Sequence, residues 1–238
     1  MIIFDLGGVL LEEAEINLAG VLPAGVDIGE VNGKIPRIFN RMFAFIHLIF
    51  GKDCKRDWLV GHISGRELAH AIKAAIDRQE YDSFFISPQE RNLIKYGSEF
   101  ILVPEKLTPL TLLDQEGFAF VKKCKNHGIR TLILSNWDPE SFAFIKDTFP
   151  ELFALFDEHD IVIPAHVGFI KPEVEIFEYM VRNLSLDVEK TIFVDDSATN
   201  TSAAQRYGIQ SVTHRDWQQT EQELARIFNE LDCIKRNV

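Results

Sequence analysis

The stretch Met1-Ile2-Ile3-Phe4-Asp5-Leu6-Gly7-Gly8-Val9-Leu10-Leu11 decides the fold class. Met1 to Phe4 is a short apolar run, which reads as a buried strand. An acid follows at once, then two glycines. Open α/β sheets keep their ligand chemistry at the carboxyl ends of the strands. A carboxylate there faces a crevice, and glycine lets backbone approach a ligand closely. Alone, the same letters also describe a buried strand that ends in a solvated turn. A second strand-then-acid pattern, Thr191-Ile192-Phe193-Val194-Asp195-Asp196, shifts the balance toward a site.

Between these two acids the chain changes texture. Residues 12–35 are mixed and acidic, broken by Pro23, Gly25, Gly29 and Gly33. From Pro36, apolar residues recur at three- and four-residue steps (Ile38, Phe39, Met42, Phe43, Ile46, Ile49, Phe50), which predicts a helix with a broad apolar face. Ser64 with Glu67 forms a capping box for a helix from Gly65 to about Glu80. Ser87-Pro88-Gln89-Glu90 starts another, to Tyr96. Phe39, Phe43, Phe45 and Phe50 are expected inside this helical segment, some at the mouth of a site.

Beyond Thr108 strands and helices alternate. Helices are expected over 112–127, 139–148, 173–184, 199–207 and 221–231, and strands over 131–134, 161–163, 191–194 and 210–213. Alternation of this kind makes a parallel sheet with helices on both faces. The expected architecture is α/β: a doubly wound, Rossmann-like core from residues 1–14 and 101–238, with residues 15–100 inserted as a mainly helical cap.

Composition narrows the function. The chain has 238 residues, 46% of them hydrophobic, enough for a full core. A net charge of −11 argues against a nucleic-acid-binding face. It leaves phosphorylated substrates open, because a metal ion and a lysine set the local field. Cys54, Cys124 and Cys233 are far apart and odd in number, which fits a reducing cytoplasm better than a disulfide framework. The N-terminus enters a strand without a basic leader, unlike a signal peptide. The apolar concentration from Met42 to Phe50 is too short for a bilayer.

Four sites lie after a predicted strand or in a loop opening a helix: Asp5, Ser135, Lys171 and the Asp195–Asp196 pair. In a parallel sheet such positions share one edge. Asp5 and Asp196 are hard oxygen ligands suited to Mg²⁺. Ser135 and the amides after it can donate to phosphoryl oxygens, and Lys171 can neutralise the cluster. Taken singly, each has a bland reading as a turn acid, a turn serine, a surface lysine or a helix N-cap.

Together they resemble the haloacid dehalogenase-like (HAD) superfamily of hydrolases. The motifs are Phe-Asp-Leu-Gly-Gly-Val-Leu (4–10), Leu-Ile-Leu-Ser-Asn (132–136), Gly-Phe-Ile-Lys-Pro-Glu (168–173) and Ile-Phe-Val-Asp-Asp-Ser-Ala-Thr-Asn (192–200), followed by Ala203-Ala204 and Gly208. They stand in the family's order, with an insert where the family carries its cap. The resemblance implies a Mg²⁺-dependent phosphatase of small phosphorylated metabolites. Asp5 matches the nucleophile that forms an aspartyl-phosphate, and the Gly7 carbonyl is available to the metal. Ser135 matches the phosphoryl-binding hydroxyl, with Asn136 adding amide contacts. Lys171 matches the residue that holds nucleophile and phosphoryl group. Asp196 matches the main metal-binding acid, with Asp195 as a further ligand or as the orienter of Lys171. Asn200 is expected to steady the turn that follows.

One position departs from the pattern. Phosphatases of this family usually carry a second aspartate two residues after the nucleophile, as proton donor and base. Here it is Gly7. General acid–base help is worth about 10²–10⁴-fold, or roughly 3–5 kcal/mol. Three explanations stand open: a leaving group that needs no proton, a substitute such as water or a cap group (Glu12, Glu13, His47), or a chain that has lost efficient turnover and keeps a binding role. Metal-independent dehalogenation is the third function class, disfavoured by the Asp195–Asp196 pair. Trp137, just after Asn136, is placed near the site entrance, in reach of a substrate.

Overall fold

The computed structural model describes residues 1–13 and 35–236, with side chains given for 1–12 and 40–229. Residues 14–34, including Pro23, Gly25, Gly29 and Gly33, and the Glu13, Phe39 and Cys233 side chains lie outside that description. In chain order the elements are β1 (Ile2–Phe4), β2 (Leu11–Glu13), α1 (Ile35–Phe50), α2 (Cys54–Leu59), α3 (Gly65–Asp77), α4 (Pro88–Leu102), α5 (Pro104–Leu107), β3 (Thr111–Leu113), α6 (Gln115–Asn126), β4 (Thr131–Leu134), α7 (Pro139–Thr148), α8 (Pro150–Phe153), β5 (Ile161–Val162), α9 (Pro164–Val167), α10 (Val174–Asn183), β6 (Ile192–Asp195), α11 (Ala198–Tyr207), β7 (Gln210–Thr213) and α12 (Trp217–Arg236).

Five strands form one parallel sheet in the order β5-β4-β1-β6-β7, and β2 pairs with β3 in a separate two-stranded sheet. β1 is central. Ile2, Ile3 and Phe4 are fully buried, as expected of a strand covered on both faces. Ile3 belongs to the layer of Leu132, Leu134, Phe193, Phe177 and Met180, beneath α10 and α11. Phe4 faces the other way, against Phe120 of α6 and Trp217 of α12 (ring centroids 6.2 and 6.3 Å away). Helices thus cover both faces, and the doubly wound α/β class read from the sequence holds.

The chain divides into two compact units. One comprises Met1–Glu13, Leu112–Trp137 and the chain from Phe149 onward; the other comprises the described residues from 35 to Thr111, with Asp138–Thr148. The sequence places the return to the core at residue 101 and α7 within the core. α4 continues past Gly97 to Leu102, and prolyl turns at Pro104 and Pro109 carry an irregular helical run on to Leu110.

Within the helical unit, the Ser64–Glu67 capping box is formed, and Ser87 caps α4 through the Glu90 amide. Gly65 is required there, because a Cβ would fall 1.8 Å from the Leu102 carbonyl oxygen. Phe43 and Phe45 are buried, whereas Phe50 is 39% exposed, against the expectation that it packs inside. In the core unit, the helix expected from Leu112 starts at Gln115, because Asp114 accepts from the Gly117 amide as its N-cap and the preceding residues form β3. The last helix starts earlier than expected, at Trp217.

Candidate active site

The strand register places the chemistry. Phe4 lies beside Ile133 of β4 and Val194 of β6, so Asp5, Ser135 and Asp195 emerge together from the carboxyl edge. β4 and β6 leave opposite sides of β1, and this reversal of strand order is where open α/β sheets leave a crevice. Lys171 reaches the same point from the loop before α10.

These side chains form one hydrogen-bonded cluster. The Ser135 hydroxyl donates to Asp5 Oδ1 at 2.6 Å, and the Leu6 amide donates to the same oxygen at 2.7 Å. Lys171 Nζ is 2.7 Å from Asp5 Oδ2 and 2.7 Å from Asp195 Oδ2, and donates to the Leu134 carbonyl at 2.9 Å. Lys171 and Asp195 are 2% and 0% exposed, so their charges depend on each other and not on water. The remaining capacity of Asp195 is also used: its Oδ1 accepts from the Ser197 amide, and Asn200 Nδ2 donates to both of its oxygens at 3.0 and 3.1 Å.

Burial pushes the Asp5 carboxyl up to about 6, with Lys171 pulling it down and Asp195 pushing it further up. Burial works against the Lys171 ammonium, but Asp5 and Asp195 outweigh it and hold its pKa above the usual value. Asp196 is raised by burial and by neighbouring Asp195. It is the exposed member of the set, yet Asp5, Asp195 and Asp196 each offer an oxygen within 4.8 Å of the others. Three carboxylates against one ammonium leave the ionised cluster two charges negative, the complement of a divalent cation.

The glycines have separate reasons. Gly8 has φ +71°, and a Cβ there would fall 2.7 Å from Asp196 Oδ2, so the 5–8 turn closes on Asp196 only with glycine. Gly7 has no positive φ, and a Cβ there would make an ordinary contact, 3.7 Å from Trp137 Nε1.

The structure brings all the expected residues to one edge and alters two readings. The Asn136 side chain, expected at the phosphoryl group, is spent on Lys171: its Nδ2 donates to the Lys171 carbonyl at 2.8 Å and its Oδ1 accepts the Lys171 amide at 2.9 Å. Asn200, expected to steady a turn, ties the first turn of α11 to the Asp195 carboxylate. The signal for Asn200 was its place five residues after a strand-end acid, inside a helix start. Of the proposed substitutes for the acid, Glu12 is exposed on β2 beside Asp114, whose hydrogen bond raises its pKa, and His47 is exposed on α1.

A parallel sheet with this crevice, lined by this set, defines a class, and the chain belongs to it: the haloacid dehalogenase-like hydrolase model matches residues 1–208. Among relatives, the chain is 30% identical over 132 residues to a drimenol cyclase of Aspergillus calidoustus (54% of this chain, 24% of that protein). It is 27% identical over 131 residues to a sesquiterpene phosphatase of Aspergillus oryzae (55% of this chain, 65% of that protein). The matches thus span less than two thirds of either relative. A HAD-family enzyme of Bacteroides thetaiotaomicron, solved as a variant with magnesium and inorganic phosphate, shares the fold at TM-score 0.55 and 20% identity, covering 91% of this chain and 95% of that one. Among the described residues no helix is long and apolar enough to cross a membrane.

Proposed function

We propose that the chain is a Mg²⁺-dependent phosphatase of small phosphate esters, working through an aspartyl-phosphate on Asp5. The observation that carries this reading is the Asp5–Ser135–Lys171–Asp195 cluster with Asp196 beside it. The carboxylate trio suits a divalent cation, and Asp5, Asp196 and the Gly7 carbonyl would hold a magnesium ion. Asp195, saturated by Lys171, Asn200 and the Ser197 amide, is its outer support and the orienter of Lys171. A bound magnesium ion would offset the negative charge of carboxylates and phosphoryl group.

The chain's own residues do the rest. An Asp5 oxygen attacks phosphorus, an Asp5–phosphoryl bond forms, and the bond to the leaving oxygen breaks. The Ser135 hydroxyl turns its one proton from Asp5 to a phosphoryl oxygen, and Lys171 fixes Asp5 and balances the charge. Water then attacks the phosphoryl group, releasing inorganic phosphate and restoring the carboxylate. The helical unit acts as the substrate-selecting cap expected at 15–100. Free, buried Cys54 and Cys124 fit a cytoplasmic setting.

Gly7 supports a second reading, a catalytically impaired HAD-fold binding protein, because no carboxyl stands at its position. Metal-independent dehalogenation is third, since it has no use for Asp196. A graded ester series separates them, from p-nitrophenyl phosphate to alkyl phosphates, with an isoprenyl phosphate included because one relative is a sesquiterpene phosphatase. Turnover that needs Mg²⁺ and is lost in Asp5→Asn upholds the phosphatase. No turnover by a folded protein upholds the binding reading, and metal-free halide release from a haloacid the dehalogenase.

A further inference from the structure

Asp5 and Ser135 are hydrogen-bonded neighbours at the ends of adjacent parallel strands, β1 and β4. Two residues further along each loop stand Gly7 and Trp137, and these two meet: the indole Nε1 is 3.7 Å from where a Gly7 Cβ would be. Both residues follow the ends of β1 and β4, past the carboxyl edge of the sheet. A carboxyl on Gly7 would sweep the space beside that N–H; with glycine the space is left to whatever sits above Asp5. The other two tryptophans differ. Trp58 and Trp217 are 7% and 4% exposed with enclosed ring nitrogens, whereas Trp137 is half-buried.

We propose that the Trp137 indole N–H is the hydrogen-bond donor to the leaving oxygen of the substrate, in the space that Gly7 leaves open. This rests on the phosphatase reading above. Indole donates a hydrogen bond and does not give up its proton. As the Asp5–phosphorus bond forms and the phosphorus–oxygen bond breaks, the leaving group departs as an anion held by Nε1–H and takes its proton from solvent water. Water later supplies the oxygen that releases phosphate. Such a donor steadies the departing anion, the more so the more basic its oxygen, but does not neutralise it, so turnover stays confined to leaving oxygens that are weakly basic without a proton. The substrate class is therefore phosphoanhydrides and phosphates of acidic alcohols, enols or phenols.

Trp137→Phe keeps the ring and removes the N–H. A hydrogen bond to a charged oxygen is worth about 10- to 100-fold in rate. The variant should lose that much on the poorer leaving groups and less on p-nitrophenyl phosphate, steepening the leaving-group dependence while Mg²⁺ affinity is unchanged. An equal loss on all esters, or none, overturns the inference and leaves the phosphatase standing. If Asp5→Asn turns over as well as wild type, both fall. A second measurement needs no variant. In the wild-type protein, the indole ¹⁵N–¹H signal of the most solvent-exchangeable tryptophan should move when Mg²⁺ and inorganic phosphate are added, while the other two stay. Phosphate bound, as seen by ³¹P, with no indole signal moving, overturns the inference.

Discussion

At the sheet edge, Lys171 lies 2.7 Å from each of two carboxylates and is itself almost wholly buried. In the helical unit, Phe45 is equally buried, but among Tyr81, Phe84 and Phe85, with ring centroids 5.8, 5.2 and 5.0 Å away. The first centre is held by directed charge, so each atom has one place. The second is held by area and ring geometry, which other apolar residues could supply. A site that must aim a carboxylate needs the first kind of order. A unit that has only to shape an apolar body can use the second.

The contrast is tested most severely at Lys171. Lys171→Met strands two buried carboxylates and should destabilise the core by about 3–5 kcal/mol, read by urea unfolding, with hydrogen-exchange protection lost in β1, β4 and β6. It should also abolish turnover. A stability unchanged at neutral pH would show that the pair contributes nothing to the fold. Phe45→Ala should cost about 3–5 kcal/mol through its cavity, with protection lost in α1, while Phe45→Leu should cost far less. Equal losses for Ala and Leu would mean that ring-specific contacts, not area, hold the helical unit.

Smaller effects sharpen the same contrast. Ser64→Ala removes the capping box of α3 and should cost about 1 kcal/mol. In the core, burial holds the His214 imidazole below its usual pKa, against the upward pull of Asp114, Asp216 and Asp196. The unfolded chain therefore takes up the proton first as pH falls below about 6.5, and stability declines from there toward the lower folded pKa. His214→Asn should flatten that decline in urea titrations at about pH 7.5 and pH 5.5. An identical slope in the variant would assign the acid sensitivity elsewhere.

The sequence carried the core's order because each motif joins a buried apolar strand to a polar residue at its end. Asp5, Ser135, Lys171, Asp195 and Asp196 could be placed on one edge from parallel topology alone. What it did not carry depended on partners distant in the chain. Asn136 looks like a phosphate contact until Lys171, 35 residues on, is seen to take both ends of its amide. β2 and β3 are three residues each, separated by the whole insert, and neither has a local signal beyond its neighbours. The helix expected to end at Tyr96 runs on through Gly97 to Leu102, with nothing within 4 Å of the side chain that Gly97 lacks. Phe50 fits the apolar period of α1 but lies in the last turn, where the buried stripe has ended.

The most direct test of Asp5 as the nucleophile is to mix the protein with Mg²⁺ and p-nitrophenyl phosphate, quench in acid, and weigh the N-terminal peptide. The peptide should gain one phosphoryl group on Asp5, and the gain should vanish in Asp5→Asn along with turnover. Phosphate release at the wild-type rate from Asp5→Asn, with no phosphoryl group on the peptide, would contradict it.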